Sequence, residues 1–106
     1  MIFIVVKFTV RPEYAEGWLD LVADFTTATR AEPGNVFFEW SRSVDDPHVY
    51  VLTEGFQNDA AEAHVTSDHF KAAMAAFPSA IATTPQIINV TIPGDGWSEM
   101  AELKPS

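Results

Sequence analysis

The segment Glu54–Phe70, EGFQNDAAEAHVTSDHF, brings four carboxylates, Glu54 among them, two imidazoles and two phenyl rings into seventeen residues. An imidazole titrates near pH ~6.5, so His64 is suited to taking up and returning protons at neutral pH. Glu54 becomes a comparable base only where an apolar surrounding raises its pKa; elsewhere it bonds a backbone group or an arginine. The chemistry this pair suggests is proton abstraction from a weakly acidic substrate. The structural alternative for His64 is a histidine that fixes a helix end. His69 and Phe70 are further candidates for substrate contact, with packing and helix capping the structural alternative for His69.

Other residues extend the candidate site. Strand alternation puts Tyr50, Leu52, Glu54 and Phe56 on one face. Tyr50 then either offers its hydroxyl to orient substrate or serves as an ordinary cross-strand aromatic. Trp40, Phe38, Phe37 and Trp18 supply either plain core or the lining of a cavity for a flat aromatic molecule. Arg42 is a candidate to stabilise a developing oxyanion, or a surface partner for Asp45 or Asp46. Asn89 is either a satisfied structural amide or a donor to a substrate carbonyl. No metal site is expected, because His64 and His69 stand five residues apart across a helix break with no third ligand at a recognisable spacing. Phosphate-binding glycine loops and a Gly-x-Ser-x-Gly elbow are absent.

These residues need elements to position them. Ile2–Val10 reads as a strand that is apolar on both faces, which implies cover on both sides. One cover is the protein's own helices; a partner subunit is the expected second. Glu13 to about Ala31 shows helical spacing through Tyr14, Trp18, Leu21, Val22, Phe25 and Ala28, closed by Pro33-Gly34. Val36–Ser43 and His48–Phe56 read as a hairpin around Asp45-Asp46-Pro47. Asn58 is expected to cap a short helix to Val65, and Ser67 another from Asp68 to Phe77. Gln86–Ile92 is the last strand. The order β-α-β-β-α-β predicts an α+β, ferredoxin-like fold with an antiparallel sheet. We expect one domain over residues 1–106, with a core over about 2–92 and a polar C-terminal tail over 93–106.

Composition narrows the function. Fifteen acidic residues against six basic ones give a net charge of −9, which repels nucleic acid and anionic membranes. Neither is expected as a partner. No apolar run approaches the ~20 residues of a membrane helix. The chain has no cysteine, which excludes disulfides and thiolate chemistry and fits the cytoplasm as the expected location. A 106-residue chain that is 47% hydrophobic carries more apolar surface than a small monomer readily buries, so a homodimer is expected.

The E-x-F segment at Glu54–Phe56, the Ala-rich turn leading to His64, the Ser67–Phe70 segment and the turn RAEPGN at 30–35 together resemble the antibiotic biosynthesis monooxygenase (ABM) family, over about Phe3–Ile92. The resemblance implies a dimeric α/β barrel of two sheets packed face to face. It also implies oxygenation without metal, flavin or haem, so no cofactor is expected. The leading expectation is therefore a cofactor-independent monooxygenase that uses O2 to convert a small aromatic hydroquinone or polyphenol to a quinone. His64 would be the base, Glu54 or Tyr50 would orient the substrate, and the aromatics would form the cavity. Haem-degrading relatives use an Asn, a Trp and a His where this chain has about Lys7, His64 and Met74, so that activity is not expected. The alternatives are an isomerase of a small phosphorylated ketone signal and a dimer that binds a hydrophobic small molecule without catalysis. The isomerase needs a phosphate anchor, which the few cations (Lys7, Arg11, Arg30, Arg42, Lys71) scarcely offer.

Overall fold

Strand β1 (Ile2–Thr9) lies inside the sheet, which has the order β2-β3-β1-β4. The computed structural model describes residues 1–106. β1 pairs antiparallel with β3 (Val49–Phe56), placing Ile2 opposite Phe56 and Thr9 opposite Val49. On its other side it pairs with β4 (Gln86–Thr91), Ile2 opposite Thr91. β2 (Asn35–Arg42) forms the hairpin with β3 and the far edge. The architecture is the α+β, ferredoxin-like one expected, an open antiparallel sheet with helices.

Period-2 alternation sorts the side chains. Val6, Phe8, Phe38, Tyr50 and Leu52 join Trp18, Val22, Phe25 and Phe77 in one core, between the sheet and the helices. Each fully buried side chain of this size contributes about 1.5–3 kcal/mol. The opposite face carries Phe3, Val5 and Phe37 and the β4 residues Ile88 and Val90, which are 62% and 43% exposed. The two-sided apolar character of β1 thus has cover on one side within the chain.

The long first helix is the main departure from expectation. A 3-10 turn (Pro12–Tyr14) is followed by α1 (Trp18–Leu21) and α2 (Ala23–Arg30). Val22, at φ −93° and ψ 4°, separates α1 from α2. The Thr26 hydroxyl donates to the Val22 carbonyl at 2.8 Å, a back-bond that bends helices. Backbone bonds from Val22 to Trp18 and from Thr26 to Val22 cross the junction, so the two pieces form one kinked run.

The second helical region is broken as expected, into α3 (Ala61–Val65) and α4 (Asp68–Ala76). Ser67 caps α4 by accepting from the Phe70 amide at 3.2 Å. The expected cap at Asn58 is not formed: Ala60 stands at the start of α3 without a side-chain cap. Arg42 pairs with Glu16 at 2.7 Å rather than with Asp45 or Asp46. No helix is long and apolar enough to cross a membrane.

Candidate active site

Glu54 and Phe56 leave the end of β3 pointing under the helices, and α3 lays His64 over them. Glu54 is 5% exposed and His64 also 5%. His64 sits in an aromatic box, with ring centroids 4.8 Å from Phe56, 5.2 Å from Phe70 and 5.8 Å from Phe25. Its backbone is fixed by Ser67, whose hydroxyl donates to the His64 carbonyl at 2.6 Å. The one serine therefore ends α3 and starts α4, setting His64 and His69 against the same neighbours.

His64 Nε2 lies 3.7 Å from Glu54 Oε1. Burial raises the Glu54 carboxyl from its ordinary range to about 7, and the nearby charge of Glu32 adds to the rise. Near neutral pH a substantial fraction of Glu54 is thus protonated and able to donate a hydrogen bond.

Both residues open into a cavity of about 300 Å³ between the sheet and α3–α4. Its wall is apolar, built from residues such as Val6, Phe25, Leu52, Met74 and Ile87, and Asn89 of β4 adds one amide. No Lys or Arg lines it. A larger depression of about 480 Å³ beside Asn35 and Gln57 is mostly polar and contains neither imidazole nor buried carboxylate.

The structure thus brings Glu54, His64, Phe70 and Asn89 of the expected site around one cavity. It turns four others away. The Tyr50 hydroxyl donates to the buried Ala15 carbonyl at 2.7 Å, so it is spent on tying β3 to the first helical segment. Trp40 donates its indole N–H to the Thr26 hydroxyl at 2.9 Å. Phe38 is 1% exposed and packs edge-on against Phe25, behind the cavity wall. His69 lies outside the lining, and its Nε2 is 2.6 Å from Glu32 Oε2.

Glu32 is the residue sequence reasoning missed. Its Oε2 also lies 2.8 Å from His64 Nδ1, so two imidazoles meet at one carboxylate oxygen. The third ligand that spacing did not reveal is therefore supplied by the RAEPGN turn, and Glu32, His64 and His69 present donor atoms within 4.8 Å of one another. Those atoms are engaged with each other at hydrogen-bond distances, and a metal ion would have to replace both shared protons. Gly34 holds the turn in place. A Cβ there would collide with that of Ala60, and its carbonyl accepts from the Gln57 amide at 2.9 Å.

The split β-α-β sheet thus holds a buried acid–imidazole pair on the wall of an apolar cavity. Comparison with known proteins gives the family. The sequence profile described as antibiotic biosynthesis monooxygenase matches residues 1–76, and the chain belongs to that family. A Caulobacter crescentus CB15 protein carrying the same family name in provisional form is 30% identical, with 84% of this chain and 86% of that one covered and a TM-score of 0.77. Its counterpart from Nitrosomonas europaea is 22% identical over 89% of this chain and all of that chain, with a TM-score of 0.80. Rv0793 from Mycobacterium tuberculosis is 23% identical over 92% and 98%, with a TM-score of 0.78. The last two support the fold alone. No curated protein matches the sequence. Family membership supports a monooxygenase-like enzymatic function.

Proposed function

We propose that the protein is a cofactor-independent monooxygenase that oxidises a small, uncharged aromatic hydroquinone or polyphenol with O2. The observation that carries this reading is the Glu54–His64 pair opening into a cavity without a cation. His64 Nε2 takes the proton of a phenolic hydroxyl. Protonated Glu54 donates a hydrogen bond to the oxygen that becomes negative. The electron-rich anion passes one electron to O2, the radical pair closes at a ring carbon that bears hydrogen, and the His64 imidazolium returns its proton to the peroxide, giving a ring hydroperoxide. Its O–O bond then breaks with loss of water, leaving one oxygen atom of O2 on the ring as a quinone carbonyl. The substrate supplies all the electrons, so the balance needs no external reductant. The apolar wall keeps water from the anion and leaves room for O2.

The phosphorylated-ketone isomerase is disfavoured by the same cavity. A phosphate there would meet Glu54 with no Lys or Arg to hold it. In this reading a second copy covers the Phe3, Val5, Ile88 and Val90 face, completing the dimeric barrel. Sedimentation at micromolar concentration tests that, and a monomer contradicts it. The activity itself is tested by oxygen uptake against hydroquinones and polyphenols. Uptake by the parent that is lost in His64→Ala supports the reading, and no uptake above autoxidation contradicts it.

A further inference from the structure

Glu32 does not line the cavity, and the proposed reaction gives it no role of its own, yet it accounts for the orientation of the base. A carboxylate oxygen only accepts hydrogen bonds. The ring nitrogens facing Glu32 Oε2, Nδ1 of His64 at 2.8 Å and Nε2 of His69 at 2.6 Å, must then both be N–H donors. With its proton on Nδ1, neutral His64 has a bare Nε2, and that nitrogen faces Glu54 and the cavity.

We propose that Glu32 is the positioning residue of this site: it holds His64 in the Nδ1–H tautomer, and His69 in turn holds Glu32. The kinetic part of this inference rests on the function proposed above; the tautomer rests on geometry alone.

Two features give Glu32 the rigidity this role needs. The Glu32 amide donates to the Thr29 carbonyl at 3.0 Å, and the Glu32 carbonyl accepts from the Asn35 amide at 3.1 Å. The adjoining Gly34 sits against Ala60, just before α3, so the turn and the helix bearing His64 are fixed to each other. The charge arrangement follows. When Nε2 takes a substrate proton, the imidazolium forms 2.8 Å from Glu32 inside the Phe25, Phe56 and Phe70 box. The titratable groups facing His64 are Glu32 from the turn after α2 and Glu54 from β3; His69 of α4 faces Glu32. Arg30 is directed elsewhere, donating to the Phe38 carbonyl at 2.9 Å.

The test is nitrogen-15 NMR of the histidine rings in the full chain at neutral pH, without substrate. The parent is expected to show His64 protonated at Nδ1 and bare at Nε2. Glu32→Gln, whose amide can also donate, is expected to release His64 into a mixture of tautomers, and Glu32→Asp to restore part of the parent pattern. A parent His64 protonated at Nε2, or a Glu32→Gln spectrum identical to the parent's, overturns the proposal. In oxygen uptake, Glu32→Gln is expected to lower kcat on the order of 10²-fold with KM little changed, and His69→Ala about tenfold. Turnover of Glu32→Gln at the parent rate overturns the positioning role. Absence of oxygen uptake in the parent, with the tautomer as expected, removes the oxygenase reading and leaves the role of Glu32 standing.

Discussion

Glu54 Oε1 and His64 Nε2 stand 3.7 Å apart on the wall of an apolar cavity. That separation is too long for a hydrogen bond between them, yet one substrate oxygen about 2.8 Å from each would bridge them. In the function proposed above, the pair receives a single hydroxyl group, the imidazole accepting its proton and the carboxylic acid donating to the oxygen left behind.

This division of labour predicts the alkaline side of the pH profile. Burial places the Glu54 pKa at about 7, and the acid form is the one that donates. Oxygen uptake is expected to fall as pH rises through about 7. Glu54→Gln keeps a neutral donor and is expected to retain part of the activity while losing that fall. Steady-state rates between pH 6 and 9 check this. A parent rate that climbs through pH 7 would make Glu54 the base instead.

Stability carries the same signature. The folded pKa of Glu54 is raised from 4.5 to about 7, so between those values the folded state binds more protons than the unfolded one. Its contribution is most favourable below pH 4.5, declines between pH 4.5 and 7, and is fully lost above 7. The difference is at most about 3 kcal/mol. Urea melts of the parent and Glu54→Gln at pH 4.5 and pH 8 measure it. The variant is expected to gain relative to the parent at the higher pH, and parallel pH dependences would contradict the assignment.

Tyr50 gives a control in the opposite sense. Tyr50→Phe leaves the buried Ala15 carbonyl without its partner and is expected to cost about 1–3 kcal/mol of stability. Because the hydroxyl faces away from the cavity, kcat and KM should stay within about twofold of the parent. A selective loss of kcat in a folded Tyr50→Phe protein would return that hydroxyl to the reaction.

Much of the sheet was legible because strand alternation is a local property. It placed Tyr50, Leu52, Glu54 and Phe56 on one face, and all four are buried. It did not show where the polar ends of Tyr50 and Trp40 go, because Ala15 and Thr26 are tertiary neighbours brought in by the kinked first helix. The kink at Val22 lacks proline or glycine, so nothing in the apolar spacing marked it. His64 was legible as a histidine on a short helix. Its partner Glu32 lies 32 residues earlier, in a turn read as a helix stop and a family motif but not as part of the site. The one available signal was a carboxylate beside the Pro33-Gly34 corner, whose glycine permits close approach to Ala60.

The most direct test is oxygen uptake by purified, metal-stripped protein over a panel of hydroquinones and polyphenols, with His64→Ala alongside and product quinone followed by absorbance. The account predicts uptake by the parent at one O2 per quinone formed, without added metal or reductant, and its loss in the variant. Uptake no greater than the phenols' own autoxidation, or equal in His64→Ala, would contradict it.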